Sequence, residues 1–184
     1  MQYRILMFMS RMICCLPHSF LMSLGKGLGI LYYKFIKKQR QLALRQIRRS
    51  LDISEAEAER TIRDSFINMG RNFLEMLYMP HLSKENFTDY IEIDHLDRLK
   101  AALAEKHGVV ILTGHVGNWE WLSAAFTFSG LPVTAIAKPQ PNEQYTRVLN
   151  DLRATVGVEI FSRGTSELLA AARALKKGKI LGFL

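Results

Sequence analysis

Two cysteines are all this 184-residue chain has, and they are neighbours, Cys14 and Cys15. A disulfide between adjacent residues would be strained, so no cross-linked framework is expected. The thiols read instead as small buried hydrophobes, in keeping with a reducing compartment. Acid is absent from a whole segment: residues 1–50 hold ten of the 25 Lys and Arg and none of the 17 Asp and Glu. Long apolar runs are missing too. A spanning helix needs around 20 predominantly apolar residues. The longest uncharged stretch near the start, MICCLPHSFLMSLG between Arg11 and Lys26, is shorter and is broken by Pro17, His18 and two serines. No small-residue cleavage site follows it and positive charge continues to Arg49, which argues against a secretory signal peptide. There is no G-x-x-x-x-G-K-[ST] phosphate loop. His81, His95 and His107 stand singly, without metal-ligand spacing, so no metal is expected. Neither a repeat of fixed period nor a low-complexity tract is present.

What is present is a folding composition, with 48% apolar and 23% charged residues in a length that suits one core. The net charge of +8 belongs to the N-terminal segment, because the other residues carry fifteen basic and seventeen acidic side chains. Such a segment seeks an anionic partner. Its basic residues are mixed with Met, Phe, Leu and Tyr, as in GLGILYY, which fits a lipid surface at headgroup level. The basic helix expected over KKQRQLALRQIRRSL, residues 37 to 51, offers Leu42, Leu44, Ile47 and Leu51 as apolar contacts. Nucleic-acid binding by residues 34 to 49 would want an aromatic platform or recognition motif that is not there. Residues 1–50 therefore read as membrane-associating helices, interfacial and not spanning, and residues 51–184 as the N-terminal, incomplete part of an α/β domain.

Ser54 and Glu57 form a capping box at the start of a long helix ended by Pro80. Ala58, Ile62, Phe66, Met69, Phe73 and Leu77 recur along it at spacings of three and four, predicting one buried face. From residue 90 the pattern alternates. YIEI reads as a strand, DHLDRLKAALAEKHG as a helix closed by Gly108, and VVILT as a strand covered on both faces. NWEWLSAAFTFSG, NEQYTRVLNDLRATVG and TSELLAAARALKKG read as helices between the strands PVTAIAK, VEIF and KILGFL. Strand and helix in strict succession predict an α/β fold, a largely parallel sheet with helices on both faces. The apolar strand KILGFL closes the chain with no polar flank, so truncation at the C-terminus is expected.

ILTGHVGNWEWL, residues 111 to 122, carries the chemistry. In a parallel sheet, ligands gather where strands end and loops lead into helices. His115 falls just past VVILT, Glu120 falls in the first turns of the next helix, and Gly114 and Gly117 let the backbone turn between them. Asn118 is the expected N-cap, and N–H groups at that helix end could face a developing negative charge. An imidazole and a carboxylate that meet in space make a base and its orienter; otherwise His115 is a structural histidine.

HVGNWE resembles the His-x4-Asp/Glu motif of the glycerolipid acyltransferases, in the form seen in the bacterial lipid A biosynthesis (lauroyl/myristoyl) acyltransferase family. The likeness extends over LGILYY with KKQRQLALRQIRRSL, over SEAEAERTIRDSFINMGRNFLEML, and over AIAKPQPNEQYTRVLNDLRATVGVEIF. It implies a membrane-associated acyltransferase of lipid A and lipopolysaccharide biosynthesis at the cytoplasmic face of the bacterial inner membrane. His115 then matches the catalytic base and Glu120 its acidic partner. Arg153 matches the helix arginine implicated in the site. Lys138 replaces the family's arginine before proline, keeping the charge but losing the bidentate fork. Gly117, Asn118, Lys138 and Arg153 are the expected substrate-binding residues. No cofactor is implied, only an acyl carrier protein or coenzyme A thioester as donor and a lipid acceptor. A related glycolipid or lysophospholipid acyltransferase, and a truncated membrane-binding chain without catalysis, are the alternatives.

Overall fold

The structure is a computed structural model that describes residues 1–162 and 165–183. Among them lie eight α-helices and four strands, in two compact units: Met1–Cys14 with Met76–Leu184, and Cys15–Glu75.

The first unit is the α/β part. Its strands are β1 (Val109–Leu112), β2 (Val133–Ala137), β3 (Glu159–Ser162) and β4 (Ile180–Phe183), all parallel and ordered β1-β4-β2-β3. Helix α5 (Leu96–Ala104) precedes β1, and α6 (Trp119–Phe128), α7 (Glu143–Thr155) and α8 (Thr165–Lys176) make the crossovers. These three helices each end two residues before a glycine, at Gly130, Gly157 and Gly178. The alternation predicted from sequence is thus the observed fold class; the last residue of KILGFL, Leu184, lies outside the described residues. Apolar groups of the helices and the sheet form the core of this unit, among them Trp121, Leu152, Val148 and Ile180. The buried hydroxyl of Thr134 donates to the Ile180 carbonyl at 2.7 Å, so its burial leaves no donor unmet.

Two local expectations are corrected. YIEI is not a strand, because the N–H groups of Tyr90 and Ile91 both bond back to the Phe87 carbonyl in a turn and cannot join a ladder. VVILT is not covered on both faces: Val110 and Leu112, which share a face of β1, are 49% and 82% exposed. Helix α5 also ends earlier than predicted, at Ala104, and Gly108 serves the turn into β1. A Cβ there would sit 2.2 Å from the Leu175 carbonyl oxygen, at a φ of +75°, so only glycine fits.

Helix α1 (Gln2–Ile13) belongs to this unit and is seated on α7. The Tyr3 hydroxyl donates to Asp151 at 2.6 Å, and its backbone N–H donates to the Gln144 side chain at 3.1 Å. At the other end the buried Ser10 hydroxyl donates to the Leu77 carbonyl. Cys15 is exposed and Cys14 only half-buried, against the expectation of buried thiols.

The second unit is helical: α2 (His18–Phe35), α3 (Lys37–Ser50) and most of α4 (Glu55–Tyr78). Helices α2 and α4 cross backbone to backbone. A Cβ on Gly29 would lie 2.4 Å from the Phe66 carbonyl oxygen, and one on Gly70 would lie 2.3 Å from that of Gly25. This crossing corrects the predicted face of α4. Ala58, Ile62, Phe66 and Leu77 are buried, but Met69 and Phe73 are 48% and 43% exposed, while Ile67 and Leu74 point inward with Gly70. The capping box is made: the Ser54 hydroxyl accepts from the Glu57 N–H, and Glu57 accepts from the Ser54 N–H at 3.0 Å.

Candidate active site

The end of β1 opens into a loop with little around it. Thr113 to Gly117 are all exposed, a Cβ on Gly117 would meet nothing within 4 Å, and Gly117 takes a φ of +61°. His115 stands in this loop. Its ring meets the ring of Trp119 edge-on, with centroids 4.7 Å apart.

Asn118 is the N-cap that the sequence predicts. Its side-chain oxygen accepts from the Glu120 and Trp121 N–H groups, each at 3.1 Å. Those two amides are therefore spoken for by the cap and not by a ligand. The cap also fixes Glu120 in the first turn of α6, where it is 7% exposed. Trp121, next along, is buried in a group of rings with Tyr78 and Tyr90, centroids 6.5 and 6.0 Å away. Burial, followed by the neighbouring Tyr90, pushes the Tyr78 phenol above its ordinary range, so this ring stays neutral.

A carboxylate this buried needs a cation. Arg153, in the last turn of α7, supplies it: Nε donates to Oε2 at 2.7 Å and Nη2 to Oε1 at 2.5 Å. This is the bidentate fork that suits a carboxylate. Arg153 also lines a small recess at the C-terminal end of β2 with Lys138, Gln140, Thr146 and Asn150. Among these lining residues there is no acid, but the Arg153 charge is already matched by Glu120.

The structure thus brings Glu120 and Arg153 together and sets Lys138 and Arg153 in one recess. It does not join the imidazole of His115 to the Glu120 carboxylate: the expected hydrogen bond is not made, and both carboxylate oxygens accept from Arg153. Gly117 and Asn118 shape the turn between the two side chains. Among the described residues, no three His, Cys, Asp or Glu side chains gather as a metal site would require.

Sequence reasoning missed the aromatic support. His81 is no lone histidine: its Nδ1 lies 3.1 Å from the Cys14 carbonyl, its Nε2 lies 3.3 Å from the Tyr90 hydroxyl, and Tyr78 stacks on it at 4.4 Å. A carbonyl only accepts, so Nδ1 carries the proton and Nε2 accepts from Tyr90. This histidine ties the end of α1 to the ring group behind Trp121. No spacing in the sequence signals it, since its partners come from three separate segments.

No curated protein matches the chain. A family does, along almost its whole length: the bacterial lipid A biosynthesis acyltransferase family matches residues 2–184. With the parallel α/β fold and the His115–Glu120 turn in place, the chain belongs to the bacterial lipid A biosynthesis acyltransferase family.

Proposed function

We propose that this protein moves a fatty acyl group from an acyl carrier protein or coenzyme A thioester to a hydroxyl of a lipid A precursor. The observation that carries the reading is an exposed imidazole in the loop after a parallel strand, five residues before a buried carboxylate, in a chain of an acyltransferase family.

The chemistry follows from what an alcohol needs. It is protonated near neutrality, so a base must take its proton as the oxygen attacks the thioester carbonyl. His115 in its neutral form accepts that proton. The tetrahedral intermediate then collapses, the C–S bond breaks, and the imidazolium returns the proton to the departing thiolate. An ester and a thiol result, and the ring is neutral again. No acyl-enzyme is required. Glu120 stabilises the imidazolium and selects the ring tautomer once the loop carries His115 to it. A carboxylate has about four acceptor positions, so the two bonds from Arg153 do not exhaust Glu120. Lys138 in the recess supplies positive charge for the thioester oxyanion, a donor of this kind being worth roughly 3 kcal/mol.

A lipid acceptor remains in the bilayer, so the catalyst works at its surface, here the cytoplasmic face of the inner membrane. Among the described residues no helix is long and apolar enough to cross a membrane. What supports surface binding is the line Phe20, Leu24, Leu28, Leu31 and Phe35, all exposed along α2 and followed by Lys37 and Lys38. On α1, Ile5, Phe8 and Met12 are exposed beside Arg4 and Arg11. Apolar side chains at headgroup depth with basic neighbours hold a helix in the plane of an anionic leaflet.

The test offers acyl carrier protein and coenzyme A thioesters with a panel of lipid acceptors and reads the products by mass spectrometry. Acylation of a lipid A precursor hydroxyl is expected. Acylation of lysophospholipid alone would move the protein to another acceptor class, and vesicle binding with no transfer from either donor would make it a non-catalytic membrane-binding chain.

A further inference from the structure

We infer that Trp119 is a positioning residue of this site: its indole holds the imidazole of His115 by direct ring contact and steadies the positive charge that forms there. The inference rests on the reading of His115 as the base and adds what touches its ring.

The surroundings of the imidazole are open. Among the described residues His115 makes no hydrogen bond and no ion pair. Thr113 to Gly117 are exposed, a Cβ on Gly117 would meet nothing within 4 Å, and one on Gly114 would meet only the Val116 side chain, at 3.8 Å. Against this openness the rings of His115 and Trp119 lie 4.7 Å apart between centroids, with their planes at 68°. That is edge-to-face packing, in which the positive edge of one ring meets the negative face of the other. The chain is shaped for it. Residues 115–118 are not helical, and Gly117 takes a φ of +61° that turns the loop between the two rings.

Trp119 is also well anchored. It is the first residue of α6 and half-buried, between the Asn118 cap and two tied neighbours. Glu120 is forked to Arg153, and Trp121 is buried with Tyr78 and Tyr90. The backbone beneath the indole is therefore fixed, and the ring contact passes that order to an exposed side chain.

Two effects on the reaction follow. A base displaced by about 1 Å can cost on the order of 100-fold in rate, and the indole limits how far the imidazole swings. When the ring takes the acceptor's proton it becomes a cation, drawn to the negative indole face by about two- to fivefold at an exposed site. That attraction grows only as the charge forms, so it acts on the transition state and not on substrate binding. Because Trp119 and Glu120 are successive residues, a ring kept on the indole stays beside the first turn of α6 and reaches the carboxylate by a pivot.

The test reads the ring before it reads turnover. In purified wild-type protein, through-space NMR contacts between the His115 ring protons and the Trp119 indole protons are expected, with His115→Gln identifying the His115 signals. Trp119→Leu keeps apolar bulk and removes the aromatic face, so the His115 signals should move and carbon relaxation should show a more mobile ring. Trp119→Phe should keep part of both effects. In steady-state acyl transfer, Trp119→Leu is expected to lower kcat at least about fivefold with KM within about twofold, and Trp119→Phe to recover part of the loss. If Trp119→Leu fails to fold, Trp119→Phe and the wild-type contacts still decide. Rings out of contact in the wild type, His115 signals and mobility indifferent to Trp119→Leu, or a rise in KM with kcat unchanged would overturn the inference. The ring measurements need no turnover, so they separate a failure of this contact from a failure of His115 as the base.

Discussion

A carboxylate held at 7% exposure is tolerable only while its cation stays, and this makes the Glu120–Arg153 pair a stability feature as well as a site feature. Arg153→Gln leaves Glu120 buried and unpaired, and about 3 kcal/mol of unfolding free energy should be lost. Neutralising both, in Glu120→Gln/Arg153→Gln, should return most of it. Urea unfolding of the three proteins checks this; equal losses in the single and double variants would mean the pair bears no such load. At this scale the sequence discloses half of the site. His115, Gly117 and Asn118 are legible because a strand, a turn and a cap are local patterns. The Arg153 fork is not, since it reaches Glu120 across 33 residues and depends on where α7 lands beside α6.

Among the elements, the crossing of α2 and α4 gives the sharpest expectation. Gly29→Ala would drive a methyl group to 2.4 Å from a backbone oxygen, so a loss of about 1–3 kcal/mol is expected from overpacking. Gly27→Ala, on the same helix with nothing within 4 Å, should stabilise by about 0.5–1 kcal/mol through helix propensity. Thermal unfolding of the two variants should move in opposite directions. The capping box adds a pH signature. The Ser54 hydroxyl, then the Ser54 backbone N–H, hold the Glu57 carboxyl below its ordinary 4.5. A lowered value means the contribution is complete above that pH and fades as pH falls through the folded-state value. The Tm gap between wild type and Ser54→Ala should therefore be wider at pH 7 than at pH 3. Apolar period and caps make most elements legible in advance. The exceptions are physical. The glycines turned α4 so that Met69 and Phe73 face water, and the Phe87 turn took the amides that YIEI needed.

For the molecule as a whole, charge and exposure divide the labour. The acid-free residues 1–50 bring basic groups and an exposed apolar line, and the nearly neutral remainder brings the sheet and its loop. Binding to vesicles should require anionic lipid, weaken as salt rises, and fall by about 1 kcal/mol for each Lys or Arg removed from α3; indifference to lipid charge would remove the electrostatic part of the account. The parallel α/β class is legible because strand and helix alternate without interruption. The division into units is not, since α1 joins the sheet unit across more than sixty intervening residues. The central claim is that an imidazole at the end of β1 takes the acceptor's proton, and the turnover of His115→Ala tests it most directly. With the lipid A precursor and an acyl thioester at saturation, the variant should lose about 10²–10⁴ in rate while remaining folded and bound to vesicles. Acyl transfer at the wild-type rate would contradict it.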